Sequence, residues 1–291
     1  MPKEEKKRRR DPNAVLLANL RLMRPADWGL AFAGAALGAR LGGGPVHISV
    51  TLGASAIAAV IAGAFVNGDW LHRSTRLLAK PHNPLAQGLV RPGEAKWLGF
   101  ALLALGLAAT SMLGFRPFAA AFFTAALLLL FNYFLDRVFF ARNVAAAAVV
   151  VMPVVYGWLW AGAAGDPPVV PAAAAGLMAV AASVFRDVES RRADEMVGRK
   201  TLAASGGRLP VVVAGVAAAS AAAIALTPYW LQGYSRRYLA LAAAVGGLMI
   251  FYAALNLRRP KPDPLFAAST ARMFKFLIFV YFAGLYWETL T

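Results

Sequence analysis

The sequence predicts an all-α fold, a polytopic membrane protein with nine transmembrane helices in one bundle. Apolar residues make up 59% of the 291 residues and charged residues only 15%, whereas soluble domains are about 45–50% apolar and about 25% charged. The mean hydropathy is +0.58, and long apolar runs recur from one end of the chain to the other. These runs are continuous rather than alternating in polarity, which excludes a transmembrane β-barrel.

The first 24 residues are predicted to be a basic cytoplasmic leader followed by an interfacial helix. The leader MPKEEKKRRRDP is not followed by a short apolar core with a small-residue cleavage site, so we do not expect a signal peptide. Residues 14–23 have the pattern of an amphipathic helix that lies on the membrane surface. Pro25 and Trp28 then mark the entry into the bilayer, and residues 25–291 form the predicted membrane domain.

Nine apolar segments in this domain are long enough to be spans, because each crossing needs about 20 mostly apolar residues. The first is the weakest, since glycines interrupt it and it carries Arg40. The predicted spans are residues 25–43, 47–66, 97–115, 117–134, 143–162, 168–185, 210–227, 238–257 and 274–290.

The basic residues predict the orientation of these spans. Of the 30 lysines and arginines, 26 fall in the leader, in the loops after even-numbered spans or at the start of the ninth span. Cytoplasmic loops carry the excess of basic residues, so we expect a cytoplasmic N-terminus and an external C-terminus in the cell (plasma) membrane. The net charge of +16 then indicates membrane lipids or an anionic substrate as partners, and no nucleic acid.

The cysteine and histidine content does not indicate a disulfide or a metal centre. The chain has no cysteine, which excludes disulfides and thiolate metal sites. Its histidines, His47, His72 and His82, are too scattered to predict a zinc or haem centre.

Two polar segments stand out because each closes an apolar span. The first follows span 2 and runs from Asn67 to Gly88; the second follows span 6 and runs from Arg186 to Leu202. Both follow even-numbered spans, so both are expected on the cytoplasmic side. Their separation of four spans predicts two facing halves of one bundle.

Three polar residues of the second segment have helical spacing. Asp187, Ser190 and Asp194 lie at i, i+3 and i+7, which is one face of a helix. Two carboxylates surrounded by cations suit a diphosphate, because Mg²⁺ bridges carboxylate and phosphate oxygens while Arg or Lys binds the remaining charge. The alternative is a solvated loop whose charges only follow the orientation rule. Tyr133 and Asn143 either line the same mouth or act as interfacial anchors and caps.

The chain resembles the UbiA superfamily of intramembrane prenyltransferases in four segments, and the last of them is similar to the digeranylgeranylglyceryl phosphate synthase branch. The resemblance implies a nine-helix bundle that transfers an isoprenyl group from a polyprenyl diphosphate to an aromatic or glycerophosphate-type acceptor at its cytoplasmic mouth. The segments are Arg21–Trp28, Asn67 with Lys80–Gly88, Tyr133–Asn143 with Pro153 and Tyr156–Gly157, and Arg186–Leu202.

The resemblance and the charged residues beside its motifs together predict the site residues and a Mg²⁺ cofactor. The expected catalytic residues are Asn67, Asp69, Asp187 and Asp194, of which the three aspartates would hold the metal. The partners implied are the polyprenyl diphosphate donor and a small-molecule or lipid acceptor. The expected substrate-binding residues are Arg73, Arg76, Lys80, Tyr133, Asn143, Arg186, Ser190 and Lys200.

The first signature departs from the family pattern of Asn-x-x-x-Asp-x-x-x-Asp. Counted from Asn67, the aspartate positions hold Leu71 and Thr75, and a shift by one residue places His72 and Arg76 there. One hypothesis is that arginines contact the phosphates directly with at most one Mg²⁺. The other is a catalytically degenerate protein that binds or presents a polyisoprenoid or anionic lipid without Mg²⁺-dependent chemistry.

Overall fold

The computed structural model describes residues 12–44, 48–73, 83–135, 138–196, 198, 201–205 and 207–290. These ranges contain ten α-helices, one π-helical turn at Phe131–Leu135 and one 3₁₀ turn at Ala203–Ser205, and no strand. The helices are α1 (Pro12–Leu22), α2 (Pro25–Leu41), α3 (Ile48–Leu71), α4 (Pro92–Ser111), α5 (Phe115–Leu130), α6 (Ala141–Trp160), α7 (Val169–Met196), α8 (Leu209–Leu231), α9 (Arg236–Arg258) and α10 (Pro264–Glu288).

The helix starts follow local sequence signals. Proline opens α2, α4 and α10, where its missing N–H costs no hydrogen bond. Ser235 caps α9 by accepting a hydrogen bond from the backbone N–H of Tyr238 at 3.2 Å. Asp263 caps α10 by accepting from the N–H groups of Leu265 and Phe266. Side-chain oxygens at these positions satisfy amides that the helix leaves unpaired.

Seven of the described helices are long and apolar enough to cross a membrane: α3, α6 to α10, and α5 together with its π turn. The prediction of an all-α, multiply spanning protein is therefore confirmed. Helix α2 has only 17 residues, and α4 carries Glu94 and Lys96 near its start. The total of nine spans stays a prediction.

Several helices extend beyond the predicted spans, and three of them extend into segments that carry polar residues of the two expected site segments or of the start of α10. Helix α3 continues to Leu71 rather than ending at residue 66, α7 continues to Met196 rather than 185, and α10 begins at Pro264 rather than 274. The spans were predicted from apolar residues alone. Because these extensions carry polar residues, the predicted spans end before the helices do. Lys275, expected at the edge of span 9, therefore lies in the middle of α10.

The helices form a ring that α2 and α10 close, and two apolar cores lie within it. One core joins α3, α4 and α5 to α2 and α6. The other joins α7, α8, α9 and α10 to the same two helices. Helix α1 packs on the outside through Ala18 and Leu22, which contact a small cluster with Val66, Val90 and Ala95. Large apolar side chains such as Phe122, Val216 and Phe276 are exposed on the outer surface, as expected for a surface that faces lipid.

Helices α2 and α6 approach each other so closely that only glycine fits at the crossing. A Cβ atom on Gly38 would overlap the carbonyl oxygen of Val154, and one on Gly157 would overlap that of Ala35. Small residues permit this backbone contact between membrane helices. The crossing holds the two halves of the ring together.

Replacing Gly38 by alanine is expected to lower the free energy of unfolding by about 3 kcal/mol, the upper end for overpacked sites, because the obstacle is backbone. Gly29→Ala is the matched control, since a Cβ on Gly29 of the same helix meets nothing within 4 Å. The measurement is the thermal unfolding midpoint of the purified protein in detergent. Equal midpoints for the two variants would show that the α2–α6 crossing is not tight.

Candidate functional site

A cavity of about 680 Å³ opens at one end of the bundle. Its walls come from the ends of α3, α5 and α7, the starts of α2 and α6, and the middle of α10. The wall is apolar on one part and charged on another. The apolar part includes Leu30, Leu128, Val149, Val150 and Ile278.

Two buried carboxylates on α7 form the first charged group. Asp187 and Asp194 are each 1% exposed, and the guanidinium of Arg142 lies between them. Its Nη1 is 3.0 Å from Asp187 Oδ1 and 3.1 Å from Asp194 Oδ2, and its Nη2 is 3.5 Å from Asp194 Oδ1. The hydroxyl of Ser190 donates to Asp194 Oδ2 at 2.7 Å.

Asn143 supports this pair from behind. Its amide Nδ2 lies 3.1 Å from Ser183 Oγ and donates to Asp187 Oδ2 at 3.2 Å. The side chain of Asn143 is buried, so these bonds are shielded from water and orient the Asp187 carboxylate. A buried carboxylate of this kind depends on such partners, because burial of an unpaired charge is costly.

Asp69 on α3 anchors the second charged group. It accepts hydrogen bonds from Arg24 Nη2 at 2.6 Å and from Asn83 Nδ2 at 2.9 Å. Arg24 also lies over the ring of Phe65, 4.7 Å from its centroid. Burial lowers the pKa of Arg24, but the negative charges of Asp69 and Asp27 raise it by more than burial lowers it. The pKa of Arg24 is therefore above its ordinary value. The guanidinium therefore stays charged.

The third charged group lies across the seam between the first and last bundle helices. Lys275 Nζ on α10 pairs with Asp27 Oδ1 on α2. Arg186 on α7 lines the same cavity, and its charge acts on both members of the pair. Within the described ranges Arg186 has no hydrogen-bond or ion-pair partner. The seam thus offers a half-buried guanidinium to an anion.

The π turn after α5 is clamped to the end of α3. Asn132 Nδ2 donates to the carbonyl oxygen of Ala64 at 2.9 Å, and His72 Nε2 lies 2.8 Å from the carbonyl oxygen of Asn132. The amide of Asn132 also occupies the space where a Cβ on Gly68 would lie. Such π turns are frequent at functional sites, and this one places Phe131 and Asn132 in the cavity wall.

The cavity brings together residues from both sequence segments that had been expected to form a site. Asp69, Arg186, Ser190 and Asp194 line it, and Asn143 contacts Asp187 next to it. The two segments therefore meet in one place although about 120 residues separate them.

Other expected residues lie elsewhere. Asn67 is fully buried but does not line the cavity, and both of its side-chain polar atoms lack a hydrogen-bond partner among the described residues. Tyr133 is 45% exposed on the π turn, outside the cavity wall. Arg73 is exposed and donates to the carbonyl oxygen of Trp70. Arg76, Lys80 and Lys200 lie outside the described residues.

Sequence reasoning missed several cavity residues, above all Arg142 and the Asp27–Lys275 pair. In the sequence Arg142 is one of the basic residues between predicted spans 4 and 5, with nothing to distinguish it from a loop charge. A signal existed for Lys275, because an ionisable residue inside a membrane helix indicates a functional site by default. No comparable signal pointed to Arg142, since its two partners lie on a different helix.

The carboxylates present are of the kind that Mg²⁺ binds with a phosphate. Among the residues that the structure describes, no group of three or more acidic or histidine side chains could enclose a metal. Mg²⁺ is usually bound by one or two carboxylates together with substrate phosphates rather than by a closed protein site. Asp187 and Asp194, two buried carboxylates that share one cation, fit this donor set.

Comparison with known proteins points to one family. The model of the UbiA prenyltransferase family matches residues 28–279. A digeranylgeranylglyceryl phosphate synthase from Hyperthermus butylicus is 27% identical over 245 residues, covering 79% of this chain and 81% of the relative. A digeranylgeranylglyceryl phosphate synthase from Ignicoccus hospitalis is 28% identical over 253 residues, covering 83% and 82%.

Solved structures share the fold. A structure from work on the biosynthesis of digeranylgeranylglyceryl phosphate synthase in membranes aligns with a TM-score of 0.70 and 22% identity, covering 95% of this chain and 99% of that one. A UbiA homolog from Archaeoglobus fulgidus bound to GPP and Mg²⁺ aligns with a TM-score of 0.66 and 19% identity, covering 92% and 99%. At these identities the likeness establishes the fold alone.

Proposed function

The chain belongs to the UbiA prenyltransferase family, and on that premise we propose that it is an intramembrane prenyltransferase that moves an isoprenyl group from a polyprenyl diphosphate to a glycerophosphate-type acceptor. One observation carries the proposal: a single cavity combines an apolar wall with the buried Asp194 and several cations, and the buried Asp187 lies directly next to it. An isoprenyl diphosphate has the same two parts, an apolar chain and a strongly anionic head. The relatives named as digeranylgeranylglyceryl phosphate synthases support the same reaction class.

The donor would lie with its diphosphate beside α7 and its chain along the apolar wall. Asp187 and Asp194 would hold Mg²⁺, which when bound offsets the negative charge on the leaving diphosphate as the C–O bond breaks. Asn143 and Ser190 keep these two carboxylates oriented through the hydrogen bonds given above. The apolar wall around Val149, Val150 and Ile278 would exclude water from the allylic cation that develops.

A phosphate-bearing acceptor suits the seam between α2 and α10 better than an aromatic one, which carries at most a single carboxylate charge. Arg186 is a guanidinium in the cavity without a partner among the described residues, and Lys275 lies near it. Guanidinium groups bind phosphates through paired hydrogen bonds. The acceptor hydroxyl would then face the donor across the same cavity.

Replacing Arg186 by glutamine is expected to raise the KM for a glycerophosphate acceptor about 10- to 100-fold, the effect of losing a hydrogen bond to a charged group. Donor affinity should stay within about twofold, because the expected donor site lies at Asp187 and Asp194. The measurement is the initial transfer rate against acceptor concentration in nanodiscs. The exposed Arg192→Gln is the control, and an unchanged KM in Arg186→Gln would place the acceptor phosphate elsewhere.

The reaction itself can be tested directly. Purified protein in nanodiscs is incubated with Mg²⁺ and geranylgeranyl diphosphate, together with geranylgeranylglyceryl phosphate or 4-hydroxybenzoate. Mass spectrometry of the extracted lipid identifies the prenylated product. Transfer to the glycerophosphate lipid supports the proposal, transfer to the aromatic acid alone corrects the acceptor, and failure of both removes the transferase assignment.

The second candidate is a lipid-binding protein without turnover, and the sequence of the first signature favours it. Leu71 stands where the family pattern has an aspartate, and Asp69 is already paired with Arg24 and Asn83. In that case geranylgeranyl diphosphate would bind but release no diphosphate with any acceptor. The same nanodisc experiment separates the two functions when the released diphosphate is measured.

The proposed topology has nine spans, with α2 and α4 added to the seven helices that are long and apolar enough by themselves. Helix α2 belongs to both apolar cores, which supports its place inside the bundle. An odd number of spans puts the N-terminus and the C-terminus on opposite sides. We place the N-terminus and the cavity mouth in the cytoplasm, the C-terminus outside, and the protein in the plasma membrane, as the distribution of basic residues indicates.

A further inference from the structure

We infer that Arg142 is a cation-exchange residue: it holds the Asp187–Asp194 pair before substrate arrives, yields these carboxylates to Mg²⁺, and then binds the donor diphosphate. The inference rests on the proposed function, because it assumes a diphosphate donor at this pair. It concerns a residue outside both acidic segments, contributed by the first turn of α6.

The guanidinium of Arg142 lies between the two carboxylates of α7. Nη1 of Arg142 is within hydrogen-bond distance of both carboxylates, at 3.0 Å and 3.1 Å. Three of the four carboxylate oxygens of the pair face Arg142, and the fourth, Asp187 Oδ2, accepts from Asn143. The place from which one cation can reach both aspartates is therefore already filled by the protein.

The charges of Asp187 and Asp194 require a cation between them. Asp187 and Asp194 are almost fully buried, so the repulsion between their negative charges is strong. A cation that lies between two such carboxylates offsets this repulsion. Arg142 supplies this cation in the absence of a metal. Mg²⁺ and the guanidinium would compete for the same oxygens, since a divalent cation placed beside a guanidinium is repelled by it. Binding of the metal therefore requires that Arg142 leave the pair.

When the guanidinium of Arg142 leaves the carboxylates, it stays within the cavity. Arg142 is itself part of the cavity wall and its side chain is 23% exposed. The long side chain starts at the second residue of α6, two positions after the N-cap residue Phe140. A diphosphate that arrives with Mg²⁺ brings negative charge to the same place. Arginine binds such oxygens bidentately, so the released guanidinium has a new partner within the cavity.

This exchange predicts opposite effects of one substitution on two ligands. In Arg142→Gln the carboxylates lose the guanidinium that lies between them, so Mg²⁺ alone is expected to bind about 10-fold or more tightly than to the wild-type protein. Pyrophosphate in saturating Mg²⁺ is expected to bind about 10-fold or more weakly, because a charge-assisted contact is lost. A residue that only supported the fold would not move the two affinities in opposite directions.

Isothermal titration of the full-length protein in detergent measures both affinities, first with MgCl₂ alone and then with pyrophosphate at saturating Mg²⁺. Arg191→Gln is the matched control, because Arg191 pairs with the exposed Glu195 at 2.8 Å and is expected to change neither affinity. Arg142→Lys keeps the charge without the planar fork and is expected to shift both affinities in the same directions by smaller factors. It carries the test if Arg142→Gln does not fold.

The outcomes separate this inference from the proposed function. Tighter Mg²⁺ and weaker pyrophosphate binding in the Arg142 variants support the exchange. Unchanged affinities, or weaker Mg²⁺ binding, overturn it while a wild-type protein that binds pyrophosphate with Mg²⁺ keeps the donor site. A wild-type protein that binds no pyrophosphate with Mg²⁺ overturns both.

Discussion

Asp194→Asn is expected to abolish Mg²⁺-dependent binding of geranylgeranyl diphosphate and to lower prenyl transfer by about 10²–10³-fold, the range for losing one preorganised electrostatic contact. Asp194 is 1% exposed and shares Arg142 with Asp187. Asparagine keeps the shape but not the charge, so the metal loses one of its two proposed carboxylates. The measurement is donor binding by the purified protein in Mg²⁺ and in EDTA.

The control for this prediction is Glu195→Gln. Glu195 is the next residue along α7, but its side chain is exposed and pairs with Arg191, so its loss should leave donor binding unchanged. Wild-type binding should fall to the level of Asp194→Asn when EDTA is added. Donor binding that ignores both EDTA and Asp194→Asn would mean that cations of the protein alone hold the diphosphate.

Lys275→Met is expected to lower the free energy of unfolding by about 3 kcal/mol, because it leaves the largely buried Asp27 carboxylate without its ion-pair partner. The double variant Asp27→Asn with Lys275→Met should recover most of this loss, since a pair of neutral side chains leaves no uncompensated charge. Unfolding midpoints of the wild type, both single variants and the double variant form a double-mutant cycle.

Lys96→Met provides the comparison for this cycle. Lys96 lies over the rings of Trp70 and Trp97, 5.4 Å and 5.9 Å from their centroids, and a cation–π contact near the surface contributes about 0.5–1 kcal/mol. If Lys275→Met lowers the free energy of unfolding no more than Lys96→Met does, the Asp27 charge is hydrated through the cavity. Additive effects in the double variant would show that the two residues do not interact.

The all-α membrane fold was predictable because hydropathy is a local property. A bilayer imposes a minimum length of apolar residues on each helix, and long apolar runs recur along the chain. The ends of α3, α7 and α10 were not predictable in this way. Their extensions carry polar residues, several of them buried in the bundle, and hydropathy cannot tell a polar residue inside a bundle from one in a loop.

The sequence by itself determined that Asp187, Ser190 and Asp194 share one face if their segment is helical, because that relation depends only on the helical period. The structure shows that α7 continues through all three residues. It did not determine the partners of these residues. Arg142 lies on α6, 52 positions before Asp194, and Lys275 lies 248 positions after Asp27. Such pairs depend on which helix faces meet and at what depth, and only the packing of α2, α6, α7 and α10 decides that.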